Sequence, residues 1–123
     1  MKKSELQVIT HSKKLLSYIF EVTEKAPLKY RYTFVSRMQN LIMDTIENLY
    51  EANDLDISDN NRIIYMRKAK TKLKLLDYVS ESSKDFGCIK MKQYNYITKE
   101  IYSILGLLEG WINSDLKRKE ELV

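Results

Sequence analysis

One cysteine, one histidine, one proline and three glycines in 123 residues leave the chain without the materials of several protein classes. Cys88 alone can close no intramolecular disulfide, which excludes a disulfide scaffold and fits a reducing compartment. It follows Gly87 in an expected turn and reads as a small inert side chain, because nothing near it in sequence would lower a thiol pKa. His11 has no Cys or carboxylate at metal-ligand spacing, so it reads as a partly exposed surface residue rather than a base or a ligand. The Glu-x-x-His pairs that build di-iron sites in helical bundles are missing, as are glycine-rich phosphate loops. An enzyme reading therefore has no site to rest on, and no metal or cofactor is expected. No apolar run approaches the ~18 residues of a transmembrane helix. The start, Met1-Lys2-Lys3-Ser4-Glu5, leads into a stretch broken by Gln7, Thr10, His11 and Ser12, which is not a signal-peptide core. The expectation is a cytoplasmic protein with no membrane contact.

What is present is helical periodicity. At 44% hydrophobic and 31% charged the chain is neither disordered nor membrane-like, and its length fits one domain with one core. The few turn residues fall where four helices need them. The first is expected over about 4–25, with Leu6, Ile9, Leu16, Ile19, Phe20 and Thr23 on one face and Pro27 as its stop. The second, about 33–53, has Thr33 as a candidate N-cap and a seam of Val35, Met38, Ile42, Thr45, Leu49 and Ala52 stepping 3, 4, 3, 4, 3. The third, about 58–86, takes Ser58 as cap, Asp59 in its first turn, and Gly87 as the C′ residue. The fourth, about 92–116, repeats the 3, 4 step through Tyr94, Ile97, Ile101, Ile104, Leu108 and Trp111. No alternating strand pattern competes with these. Short connections make neighbours antiparallel, so the expected fold is all-α: an up-down-up-down four-helix bundle occupying residues 1–123.

Charge is concentrated. By segment the formal charge is +3 for residues 1–30, −3 for 31–56, +4 for 57–90 and zero for 91–123. Within the third segment Arg67, Lys68, Lys70, Lys72 and Lys74 put five cations in eight residues. On a helix Arg67, Lys70 and Lys74 fall within roughly 60° of one another as one ridge, with Lys68 and Lys72 on the other flank of the seam through Met66, Ala69, Leu73 and Leu76. Such a footprint meets phosphates or an acidic protein surface. Lys and Arg also fill ordinary solvated helix faces. A third use is docking onto the acidic face Asp44, Glu47 and Glu51 of another copy.

The fourth helix carries a second apolar line, Leu105, Leu108 and Ile112, beside its seam, more than a stripe about 100° wide requires. That excess points to self-association or to a broad internal seam. Gly106 and Gly110 each cost about 1 kcal/mol in a helix interior, and at i, i+4 they would let another backbone come close. Trp111 reads as core or interface. Tyr30, Tyr32, Tyr65, Tyr78, Tyr94, Tyr96 and Tyr102 read mainly as core residues whose hydroxyls reach water, with base stacking as the rival use. Arg37 is expected in an ion pair with Glu47, Glu51 or an acid on another helix, and Arg31 is open.

The stretch Ile104-Leu105-Gly106-Leu107-Leu108-Glu109-Gly110-Trp111-Ile112-Asn113-Ser114 resembles the ending shared by small bacterial four-helix-bundle proteins. These are the accessory variability determinants of diversity-generating retroelements and the proteins encoded in ribosomal RNA intervening sequences. Pro27, Tyr30-Arg31-Tyr32-Thr33-Phe34, Arg37 and Glu51-Ala52-Asn53 are similar to the retroelement branch. The intervening-sequence branch has an Ala-Glu-Gly-like step where this chain has Ala52-Asn53-Asp54. The resemblance implies a homopentameric barrel of bundles, basic on its surface, without catalysis of its own. It would bind RNA or DNA and the element's reverse transcriptase, and support mutagenic cDNA synthesis. On that implication the binding residues would be Arg67, Lys68, Lys70, Lys72 and Lys74, with Lys13, Lys14 and Arg31 as outer members. A helical scaffold that binds only proteins is the alternative.

Overall fold

In a computed structural model describing residues 3–122, with side chains described from residue 7 onward, the 3, 4 stepping resolves into four helices. They are α1 (Lys3–Thr23), α2 (Ser36–Asp54), α3 (Asn60–Asp85) and α4 (Met91–Glu121), and no strand occurs among the described residues. Each helix packs on its sequence neighbours and α4 closes onto α1, which leaves α1 diagonal to α3. This is the expected antiparallel four-helix bundle.

Met38, Ile42, Thr45, Leu49 and Ala52 of α2 are buried, with Val35 just before it, as are Met66, Ala69, Leu73 and Leu76 of α3. On α4 every seam residue from Ile97 to Trp111 is buried, and Tyr94 is half-buried. The face of α1 differs from expectation. Val8, Ile9, Ser12, Leu15, Ile19 and Thr23 point inward, Leu16 is half-buried, Phe20 is exposed, and Leu6 lies outside the described side chains. Ser12 enters the core because its Oγ donates to the Val8 carbonyl at 2.8 Å, satisfying the hydroxyl within its own helix. Thr23 and Thr45 do the same at 2.7 and 2.8 Å. A polar residue so paired no longer needs water.

The helix ends correct two expected caps. A 3-10 turn, Leu28–Tyr30, and a π-helical turn, Arg31–Val35, run directly into α2. The amides that a cap would satisfy are already bonded there, so Thr33 Oγ1 donates to the Tyr30 carbonyl at 3.2 Å instead. On α3 the N-cap is Asp59, whose Oδ1 accepts from the Asn61 amide at 2.8 Å, while Ser58 Oγ donates to Asp56. The C-terminus of α3 closes as a Schellman motif. Gly87, at φ +81, donates to the Lys84 carbonyl at 3.0 Å, and Cys88 donates to Ser83 at 2.8 Å. Cys88 is thereby buried with Ala26 and Val35. Helix α4 continues five residues past the expected Leu116, because Lys117, Arg118, Lys119, Glu120 and Glu121 are all good helix formers and nothing interrupts them.

One buried charge pair joins three helix ends. Arg62, 6% exposed, and Asp115, 4% exposed, occupy seam positions of α3 and α4. Arg62 Nε donates to Asp115 Oδ2 at 2.5 Å and Nη2 to Oδ1 at 3.2 Å, a bidentate fork. Its Nη1 donates to the Leu55 carbonyl at 2.8 Å and to that of Ala52 at 3.3 Å, satisfying carbonyls where α2 ends. The guanidinium lies over the Trp111 ring, 5.3 Å from its centroid.

Leu108, Trp111 and Ile112 belong to this intramolecular core and Leu105 packs half-buried against it, so the second apolar line of α4 is spent within the subunit. Gly106 and Gly110 are exposed, and a Cβ added to either would meet nothing within 4 Å. The close backbone approach expected at these glycines does not occur inside the subunit.

Candidate nucleic-acid interface on helix α3

The basic cluster divides by what faces each cation. Lys70 pairs with Glu109 of α4, and Lys72 reaches Asp44 of α2 at 3.8 Å. Lys68 lies over the ring of Tyr65, 5.3 Å from its centroid. Arg67 and Lys74 are exposed, with no ion pair to any described residue. Within the expected ridge of Arg67, Lys70 and Lys74, Lys70 is turned toward α4 by the acid of the neighbouring helix. Surface pairs of this kind contribute little, of order 0–1 kcal/mol, so Lys70 and Lys72 remain exchangeable toward a polyanion.

Arg67, Lys68 and Lys72, with Ile64 and Thr71, line an open groove of about 560 Å³ whose α2 side is Asn48. Neither Asn48, Ile64 nor Thr71 was singled out by the sequence pattern. Asn48 carried a signal: it continues the line Leu41, Thr45, Ala52, where an amide stands at a core position. Ile64, Leu75 and Tyr78 are exposed at helical spacing among these cations, so the outward face of α3 is basic with apolar inserts. A second cavity of about 470 Å³ lies where α1 ends against the α3–α4 connection, and it mixes Glu21 and Glu24 with Lys25 and Lys90. Its mixed charge gives no preference for an anion.

The outer members of the expected site lie elsewhere. Lys13 sits over the Tyr50 ring at 5.1 Å, on the α1–α2 side, and Lys14 is exposed on the same helix, diagonal to α3. Arg31 donates to the Glu24 carbonyl at 3.4 Å, at the end of the bundle where α1 stops. Arg37 is exposed and makes no ion pair among the described residues, contrary to the expected pair. Glu47 and Glu51 lie about 15 and 21 Å further along the same helix at 1.5 Å per residue, beyond the reach of an ion pair. The tyrosines divide as well. Tyr32, Tyr78 and Tyr102 are largely exposed rather than core, whereas Tyr18 packs on Tyr96 at 4.3 Å and Tyr94 donates to Asp77 at 3.3 Å. Burial raises the Tyr18 and Tyr94 hydroxyls and the Cys88 thiol above their ordinary pKa values. Among the described residues no three His, Cys, Asp or Glu side chains gather as metal ligands, and no helix is long and apolar enough to cross a membrane.

The arrangement of four helices has a solved counterpart. The chain is similar to a protein of unknown function from the S23 ribosomal protein family of Bacteroides thetaiotaomicron, with a TM-score of 0.76 and 17% sequence identity. The match covers 89% of this chain and 98% of that one. It establishes the fold. No protein-family profile matches the chain, and none of the curated proteins compared with it does.

Proposed function

We propose that this chain is a non-enzymatic, self-associating accessory protein of a diversity-generating retroelement. In this reading the outward face of α3 binds nucleic acid and the element's reverse transcriptase. The observation that carries it is the exposure of Arg67 and Lys74 without carboxylate partners among the described residues, beside the groove cations Lys68 and Lys72. A solvated face made only for solubility interleaves both signs; between Arg62 and Leu76 α3 itself contributes no acid, and the two that reach this stretch, Asp44 and Glu109, belong to its neighbours. The four-helix fold supports the retroelement resemblance without distinguishing its partners. Self-association would use the open face at Gly106 and Gly110, and each added subunit would repeat the basic face, so weak contacts would act at high effective concentration.

Binding of labelled RNA and DNA across a salt series tests the reading, with an Arg67→Glu, Lys68→Glu, Lys74→Glu triple variant alongside. Three phosphate contacts give a slope of about −2 in log affinity against log salt on a single strand. The variant should lose most of it. The exposed Ile64, Leu75 and Tyr78 favour a second reading, a scaffold whose α3 face takes only an acidic protein surface. That reading predicts no binding to either nucleic acid at low salt.

A further inference from the structure

Asn48 is 7% exposed, and its Nδ2 is shut off from solvent without a hydrogen-bond partner. A buried amide in that state gives up its water and receives nothing in return. Leucine would suit the same line of α2, next to Leu41 and Leu49. The unsatisfied amide is among the residues lining the groove with Ile64, Arg67, Lys68, Thr71 and Lys72; its Nδ2, closed to water as it stands, reaches a ligand there by turning outward about the terminal torsion of the side chain, and such a ligand supplies the missing partner. Three cations against one acid, Asp44 at the rim, select an anion. Ile64, 48% exposed, offers an apolar surface on which a flat ring can lie. The volume, about 560 Å³, falls within the ~300–1,000 Å³ of small-molecule sites and exceeds what a phosphate alone fills. An amide presents a donor and an acceptor side by side, which is the pattern that reads the edge of a nucleobase.

We propose that the α2–α3 groove seats one nucleoside phosphate, with the phosphate against Arg67, Lys68 and Lys72 and the base edge against Asn48. This deepens the reading of α3 as a nucleic-acid face and rests on it for a strand as the source. A free nucleotide presents the same chemistry, and the test separates the two.

The full chain is titrated with inorganic phosphate, with each of the four ribonucleoside 5′-monophosphates, and with a short single-stranded RNA. The side-chain amide resonance of Asn48 is followed by NMR together with affinity. The expected result is movement of that resonance with nucleotides or strand and not with phosphate alone. Asn48→Leu should melt at a higher temperature than the native chain yet bind about five- to tenfold more weakly, with an unchanged salt slope. Asn48→Asp, which keeps the shape and adds a negative charge, should bind more weakly still. Response to the strand but not to mononucleotides makes the strand the source. Response to both makes it a free nucleotide as well. If Asn48→Leu and Asn48→Asp bind like the native chain while Lys74→Glu flattens the salt slope, the groove proposal fails and the α3 face survives. If nothing binds the native chain, both fail.

Discussion

Replacing the buried Arg62 by methionine should destabilise the bundle by several kcal/mol. The substitution keeps the side chain's apolar stem but removes the fork that Asp115 receives at 2.5 and 3.2 Å, leaving a carboxylate 4% exposed. It also takes the donor from the Leu55 and Ala52 carbonyls. Breaking one side of a buried pair costs about 3–5 kcal/mol. Arg118, whose Nη1 lies 3.9 Å from Asp115 Oδ1, can move closer and holds the loss toward the lower end. For 123 residues at about 2.1 cal/mol/K of unfolding entropy each, 1 kcal/mol corresponds to about 4 °C. The melting temperature, followed by circular dichroism at the helix band, should fall by about 12–20 °C. The double variant Arg62→Met, Asp115→Leu should recover most of that loss, because a well-packed apolar pair replaces a buried ion pair at little cost. A single variant that loses less than about 1 kcal/mol would refute the reasoning. A double variant as unstable as the single one would shift the role of Arg62 from the buried charge to the carbonyls of α2.

Gly87→Ala places a Cβ at φ +81, so it should destabilise by about 1–2 kcal/mol, measured by urea unfolding, although the space around it is open. A Cβ at Gly106 or Gly110 meets nothing within 4 Å inside the subunit, so with Gly106→Leu and Gly110→Leu the helix content should hold while light scattering reports a smaller particle; an unchanged mass would remove that face from self-association. Stability should also fall in alkali. The raised pKa values of Tyr18, Tyr94 and Cys88 mean that the folded state holds these protons more tightly than the unfolded state. Their contribution is complete below the ordinary values of 9.0 for the thiol and 10.0 for the phenols, and it is lost as pH rises through the folded values. Melting temperatures flat through pH 8 and declining above about 9 would agree, and a rise above 9 would not.

The seams of α2, α3 and α4 were legible because their 3, 4 steps run unbroken, and the second apolar line of α4 adjoins its seam and shares Leu108 with it. On α1 two apolar lines compete, and the buried one contains Ser12, whose bond to Val8 hides it from a hydropathy reading. Arg62 and Asp115 lie on the 3, 4 steps of their own seams, so opposite charges on two core lines were visible in principle; that they face each other depends on helix register, which periodicity does not give. Register also decides that Glu109 takes Lys70 and Asp44 approaches Lys72, and so which cations remain for a ligand. The π-helical turn at Arg31–Val35 carries no breaker residue and cannot be told from a helix start by composition.

The most direct test of the α3 face is photo-crosslinking of thiouridine-substituted RNA to the native protein, with the attached peptides identified by mass spectrometry. Adducts are expected on α3, at Tyr65, Tyr78 and the residues between them. Adducts confined to α1 or to the turn at Leu28–Tyr30, with none on α3, would contradict that expectation.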